Sequence, residues 1–417
     1  LTILTVTLAL SYVDRYLLAI LVQPIKADLG LSDSQIGLLT GLAFSVFYAT
    51  IGLPLAHFAD RGHRRAVVCG SIAVWSLMTA ATSAVTSFAQ LAIVRFGVGA
   101  GEAGVFPTAQ AIIADSFSED RRSSAMAIFA SGGSIGLLLA FALGGAVEAQ
   151  LGWRLSFVAF ALPGIVVAPL AFLLLPRFRE TSTVGLTGDH LPSSVAQLWR
   201  NPHFRHLPFA QSAIVILLFG QAAWLPAFFE RSFAMPRTTI GLMLGLVIGL
   251  ATIGGGIIGG YLADRIRVRD EAGPMRFAFW SVVAGAPFVS GLYLMPNAWA
   301  ALLLVAPTCF FFSMPTGVIA AHLQFVVNPR QRASAAAWAV MIASLLGGGL
   351  GPLAIGSASD LLGVFSGDDG LRYALLVVAS AAIAWALWHL SRLVRLCSAR
   401  ASSAPWPNKH PSAVKGM

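Results

Sequence analysis

The sequence predicts an all-α membrane protein, with twelve transmembrane helices in two pseudo-symmetric six-helix halves. Three observations predict it. The 417 residues are 57% hydrophobic and only 11% charged, with a mean hydropathy of +0.78, whereas a soluble domain carries about 25% charged residues. Apolar runs of about 20 residues recur from end to end, each long enough to cross a hydrocarbon core of about 30 Å. With no water there to satisfy backbone groups, each run has to be a helix. Finally, basic residues cluster in alternate short loops, as a membrane topology signal requires.

The first six spans fall near 1–25, 34–58, 66–87, 89–114, 123–147 and 155–176, and the second six near 206–230, 238–262, 274–296, 298–322, 332–358 and 370–396. This divides the chain into an N-terminal bundle (1–176), a linker (177–205), a C-terminal bundle (206–396) and a tail (397–417). Of the 27 Lys and Arg, twenty lie on one side, five on the other, and Arg15 and Arg95 fall inside spans. The positive-inside rule places both termini and the linker in the cytoplasm of an inner, or cell, membrane. The net charge of +9 is thereby accounted for without nucleic acid. Within the linker, Ser194 and Gln197 fit a capping box. Leu191, Val195, Leu198 and Trp199 share one helical face, and Pro202 ends the segment. This pattern predicts a short amphipathic helix on the inner membrane surface, with a plain polar linker as the alternative.

Cys69, Cys309 and Cys397 are far apart and show no metal-ligand spacing, so neither a metal site nor a structural disulfide is expected. No phosphate-binding loop is visible, which argues against an ATP-driven pump, and no cofactor is expected. Leu1 already lies inside a hydrophobic run, unlike a cleaved signal peptide; without an initiating Met, a short preceding segment is expected.

Four ionisable residues sit inside spans one and four: Asp14 and Arg15, and Arg95 and Glu102. A charge at a span centre costs roughly 2.5–3.5 kcal/mol, so four unpaired ones would cost on the order of 10 kcal/mol. Arg95 and Glu102 are seven positions apart and share a helix face, about 10 Å apart along the axis. The four are expected to face a hydrated cavity as one network. Asp14 and Glu102 are the proton-site candidates, because burial disfavours a charged carboxylate. Arg15 and Arg95 keep their protons and suit an anionic headgroup, phosphate above all. The cores of spans seven to twelve carry no Asp, Glu, Lys or Arg but hold Phe219, Trp224, Phe310, Phe311, Phe312, Met314 and Trp338. A charged wall facing an apolar one suits an amphiphile, with Phe219 and Trp338 the first choices for tail contacts.

The chain also repeats weakly. Ala56-His57-Phe58-Ala59-Asp60-Arg61 closes span two, and Gly260-Tyr261-Leu262-Ala263-Asp264-Arg265 closes span eight. The pattern resembles the loop motif of the major facilitator superfamily, with Arg64 and Arg65 as the following basic residues and the usual glycine displaced to Gly62. That resemblance implies two halves alternating around a midplane site. It also implies that Asp60, Arg61, Asp264 and Arg265 hold the inward gate, with Asp115 the natural partner of Arg61. Gly132, Gly136 and Gly145 in span five, and Gly241, Gly245, Gly249 and Gly256 in span eight, have the small-residue spacing of close helix packing. In the superfamily these spans meet between the halves.

Within the superfamily, Tyr12-x-Asp14-Arg15, the run Arg95-Phe96-Gly97-Val98-Gly99-Ala100-Gly101-Glu102-Ala103, Ile113-Ala114-Asp115-Ser116-Phe117 and Gly152-Trp153-Arg154 resemble the Spinster family, bacterial members especially. The resemblance is clearest over the first 160 residues. It implies a carrier of lysophospholipid or sphingosine-1-phosphate-like lipid, coupled to protons in bacterial members; a monomer is expected. Asp14 and Glu102 would be the proton-linked acids, and Arg15 and Arg95 the headgroup contacts; Tyr12 is a further substrate-binding candidate. Two readings on the same fold stay open: a drug or organic-anion transporter, and an uncoupled lipid facilitator. The drug/proton antiporters usually carry Gly-Pro in span five, where this chain has Gly136-Leu137. A lipid enzyme finds no nucleophile–base set or metal-ligand cluster in the spans.

Overall fold

The computed structural model describes residues 1–176, 197–268, 270, 272–328 and 331–403. Helix is the one solution open to runs of apolar residues in lipid, and the described residues contain no strand. In chain order the helices are α1 (Thr2–Ile20), α2 (Val22–Leu29), α3 (Asp33–Gly37), α4 (Ala43–Phe58), α5 (Arg64–Ala81), α6 (Phe88–Glu102), α7 (Val105–Ser116) and α8 (Glu119–Leu174). They continue with α9 (Leu207–Val215), α10 (Leu225–Phe233), α11 (Arg237–Arg267), α12 (Gly273–Leu294), α13 (Ala298–Val326), α14 (Arg332–Ile342), α15 (Leu350–Ser366) and α16 (Gly370–Ser403).

Nine helices among the described residues are long and apolar enough to cross a membrane, or ten if the bent pair Leu207–Gly220 and Leu225–Phe233 is one span. One of the nine, Ser124–Leu174, has 51 residues; at 1.5 Å each that is about 76 Å, over twice a hydrocarbon core. It breaks at Gly152 (φ 73°, ψ 167°), a conformation that needs glycine. Several helices outrun the apolar spans: α11 ends at Arg267, α13 at Val326 and α16 at Ser403. Hydropathy marks where lipid stops, whereas backbone hydrogen bonding continues into polar turns.

Side-chain caps fix several helix starts. Ser32 and Gln35 form a reciprocal capping box on α3, and Asn297 Oδ1 accepts from the Trp299 and Ala300 amides at the start of α13. Of the expected linker helix, Leu191, Ser194 and Val195 lie outside the described residues. Residues 197–200 are helical, with Leu198 buried and Trp199 packed edge-on against Phe204.

Three wide, π-type turns occur where the N-terminal and C-terminal halves of the chain touch: Leu38–Leu42, Ile216–Gly220 and Ala343–Gly349. The first packs on the third so closely that a Cβ on Gly41 would meet the Gly349 carbonyl oxygen. The expected seam between spans five and eight is half present. Gly145 meets the Arg237 carbonyl, Gly241 the Phe141 carbonyl and Gly245 the Leu138 backbone. Gly249 and Gly256 have nothing within 4 Å of a built Cβ, and Gly132 and Gly136 pack on α1 instead, against the Thr5 and Ala9 carbonyls. The halves therefore meet at the end near Arg237 and splay apart toward the end that carries Arg61–Arg65 and Arg265–Arg267. These are called below the far end and the basic end.

Candidate functional site

Between the splayed halves lies a cavity of about 430 Å³. One wall starts from α1, whose Tyr12, Arg15, Tyr16 and Ala19 line it at positions i, i+3, i+4 and i+7, a single helical face. Thr40, Phe44, Ser45, Tyr48 and Phe106 also line that side. The opposite wall is mostly apolar, with Val215, Phe219, Ile319, Leu323 and Val340, relieved by Gln211, Thr316, Gln324 and Ser344. Arg15 is the one charged side chain among the described residues that line it.

Arg15 is held from behind. Its Nη2 donates to Glu102 Oε2 at 2.7 Å, and Ser11 Oγ donates to the same oxygen at 2.8 Å. Its guanidinium lies 4.4 Å from the Phe44 ring centroid, 5.1 Å from Tyr12 and 5.5 Å from Tyr48, within cation–π range. The Glu102 side chain is 1% exposed and that of Arg15 25%. Glu102 lines a small side chamber that Arg15, Tyr12, Tyr48 and Phe106 share with the main cavity. Arg15 thus touches both compartments and Glu102 only the smaller.

The expected four-residue network resolves into two parts. Asp14, one residue and about 100° around the helix from Arg15, points into the N-terminal half, and neither it nor Arg95 lines the cavity. Both are buried. No direct ion pair joins them among the described residues, and both Asp14 oxygens and Arg95 Nε lack a hydrogen-bond partner. Arg95, expected as a headgroup contact, is therefore corrected to a buried position. Seven residues before Glu102, it sits about 10 Å farther from the basic end.

Of the two aromatic choices, Phe219 lines the cavity and stacks on Tyr16, with centroids 6.3 Å apart and planes at 19°. Trp338 does not. The cavity takes Ala336, Ala339 and Val340 from α14 and Ala343 just beyond it, one face at helical spacing, and Trp338 lies on the other face, packed on the hydrophobic core. Tyr16, Phe44 and Tyr48 were not singled out from sequence. The i, i+3, i+4 spacing of Tyr12, Arg15 and Tyr16 was the signal available for the first.

At the far end, a cluster that sequence reading missed closes the cavity. Asp33 is 3% exposed and accepts four side-chain bonds: Arg231 Nη1 to Oδ2 at 2.6 Å, Arg231 Nη2 to Oδ1 at 2.7 Å, Lys26 Nζ to Oδ1 at 2.6 Å and Ser359 Oγ to Oδ2 at 2.6 Å. Asp360 in turn accepts the Asp33 and Ser34 amides at 2.9 and 2.7 Å, a carboxylate from one half capping a helix of the other. Arg237 joins Glu148 at 2.7 Å and Glu230 at 2.7 Å.

The basic end lacks such cross-connections among the described residues. Asp115 pairs with Arg64 and not with Arg61, the expected partner. Gly62 (φ 90°) turns the chain between Arg61 and Arg64; Arg64 is buried and Arg61 is exposed to solvent. The side chain of Asp60 lies outside the described residues. Asp264 and Arg265 are exposed and make no ion pair among the described residues; Arg265 lies over the Tyr261 ring at 4.6 Å.

Known proteins share this architecture. A sequence profile of the Major Facilitator Superfamily matches residues 4–352. The chain is 33% identical over 381 residues to an MFS-type efflux pump of Mycolicibacterium smegmatis, covering 89% of this chain and 86% of that protein. It is 30% identical over 385 residues to human protein spinster homolog 1, covering 85% and 71%. A crystal structure of a bacterial homologue of the human lysosomal transporter Spinster, inward-facing and unoccupied, superposes with a TM-score of 0.83 over 97% of this chain and 98% of that one. At 23% identity, that likeness speaks for the fold. With the profile spanning most of its length and relatives of these kinds along it, the chain belongs to the Major Facilitator Superfamily and is a membrane transporter homologous to the Spinster proteins, not an enzyme.

Proposed function

We propose that this transporter moves an amphiphilic anionic lipid, of the lysophospholipid or sphingosine-1-phosphate class, by proton-coupled alternating access. The observation that carries the reading is Arg15, the one charged side chain among the described residues that line a largely apolar and aromatic cavity. A guanidinium binds phosphate oxygens in a bidentate, charge-assisted way, and the opposite wall around Phe219 and Leu323 suits an acyl chain.

The architecture under this reading is twelve spans in two six-helix bundles, 1–176 and 206–396. Counting Ser124–Leu174 as two spans, the bent pair as one, and α6 with α7 as one brings the nine long helices to twelve. With the basic end cytoplasmic, both termini face the cytoplasm of the cell membrane, and the described state is open inward. One chain encloses the cavity, so a monomer suffices.

Coupling runs through Glu102. As a carboxylate it holds Arg15 and competes with the substrate headgroup. A proton on Glu102 weakens that hold and frees Arg15 for the lipid. Proton and substrate must then shift each other's affinity by the same factor. Asp14, buried and with neither oxygen hydrogen-bonded, is the second proton-linked acid and Arg95 a buried counter-charge. Closing the basic end would engage Asp60, Arg61, Asp264 and Arg265, while Arg64 and Asp115 brace that end.

The test is uptake of labelled lysophospholipid into proteoliposomes, with and without a pH gradient, for wild type and Glu102→Gln. Gradient-driven flux that the variant abolishes supports the reading. Lipid flux indifferent to gradient and variant points to an uncoupled facilitator. The second reading, a drug or organic-anion pump, is favoured by the similarity to an MFS-type efflux pump. Transport of a soluble organic anion with no lipid flux would select it.

A further inference from the structure

The basic end of the C-terminal half contains a second cluster, remote from the cavity. His203 lies in the turn ahead of α9, His322 near the end of α13 and Cys397 near the end of α16. All three are buried, and their ligand atoms lie within 4.8 Å of one another. His322 Nε2 is 3.3 Å from His203 Nδ1 and 3.6 Å from Cys397 Sγ.

Those two distances are informative. Zinc–nitrogen bonds of about 2.05 Å and zinc–sulfur bonds of about 2.3 Å at the tetrahedral angle give N···N edges of about 3.3 Å and N···S edges of about 3.6 Å. We infer that His203, His322 and Cys397 bind a single zinc-class divalent ion that ties the end of the inter-half linker to α13 and α16.

The donor set suits such an ion: two imidazoles and one thiol, the borderline-to-soft mixture that zinc accepts. On binding, the Cys397 thiol gives up its proton, so the site carries one negative charge against the dication. The ligands are also held in place. The His203 amide donates to Asn201 Oδ1 at 3.0 Å, and Asn201 Nδ2 donates to the Val326 carbonyl at 2.8 Å, four residues beyond His322. Cysteine spacing could not reveal the site, because its ligands come from segments 119 and 75 residues apart. The bland reading of the same geometry is a metal-free chain of hydrogen bonds through His322.

Zinc and cobalt distinguish the two. Untagged full-length protein in detergent is dialysed against Zn²⁺ alone and its metal content measured; Co²⁺ is then substituted and its absorption recorded. The expected result is one Zn²⁺ per chain and a thiolate-to-cobalt charge-transfer band. Both should be lost in Cys397→Ser and retained in Cys69→Ser and Cys309→Ser. Wild-type binding no greater than that of Cys397→Ser, or bound cobalt without a thiolate band, would overturn the inference. The cobalt spectrum of the wild type decides the matter even if Cys397→Ser fails to fold.

Discussion

The two ends of this transporter solve opposite problems. At the far end the polar contacts cross between the halves of the chain: Asp33 with Arg231 and Ser359, Asp360 with the amides of α3, Glu148 with Arg237. At the basic end the ion pairs among the described residues stay within one half, Arg64 with Asp115 in the first and Arg276 with Asp270 in the second. The same kinds of residue therefore do different work. Pairs at the far end join the two halves, and pairs at the basic end join neighbouring segments of one half. The difference also shows in the glycines, which are crushed against backbone at Gly37, Gly41, Gly145 and Gly356 but open to space at Gly249, Gly256 and Gly260.

Breaking Asp33 should have the largest effect on that contrast. Asp33→Asn keeps the size but leaves Arg231 and Lys26 with no counter-charge there. Removing one member of a buried pair typically costs 3–5 kcal/mol, and the partial exposure of both cations sets the value near the low end. About 3 kcal/mol moves the balance between far-end-closed and far-end-open states on the order of 100-fold. Labelling of a cysteine introduced at Ala19, on the cavity wall, by an impermeant thiol reagent added at the far end should rise accordingly. Unchanged labelling would mean that helix packing, not charge, holds this end.

Gly41→Ala separates those two causes. Its new Cβ would meet the Gly349 carbonyl oxygen, a backbone atom that cannot rotate away. Overpacking of this kind costs about 1–3 kcal/mol, so labelling at the same cysteine should rise roughly tenfold, less than for Asp33→Asn. If Gly41→Ala exceeds Asp33→Asn, the π-turn contact is the principal lock and the ion cluster its seal.

Much of this was legible beforehand, for identifiable reasons. Spans were readable because lipid penalises every exposed polar group. Glu102 and Arg15 stood out because charge inside a span is rare and costly. What failed were statements about angle and partner. Residue type and intramembrane charge point Trp338 and Arg95 to the cavity, whereas neither lines it among the described residues. The meeting of Asp33 with Arg231 and of Asp360 with α3 is not legible, since sequence gives no sign that segments some 200 and 330 residues apart meet. Arg61 was matched to Asp115 by motif, but the left-handed turn at Gly62 carries the chain so that Arg64 reaches it.

The smallest effect should come from that last pair, and it sharpens the comparison most directly. Asp115 is 42% exposed at its side chain, and exposed ion pairs contribute about 0–1 kcal/mol. If Arg64–Asp115 is a brace within one half, Arg64→Ala should leave far-end labelling within about fivefold of wild type while lowering the melting temperature. Arg61 stands free of Asp115, and its proposed partners engage only when the basic end shuts. Arg61→Ala should therefore leave thermal stability unchanged and destabilise only the outward-open state, seen as reduced far-end labelling of the same Ala19 cysteine. The opposite assignment, with Arg64→Ala shifting the labelling and Arg61→Ala the melting temperature, would make the intra-half pair the gate and remove the distinction between the two ends.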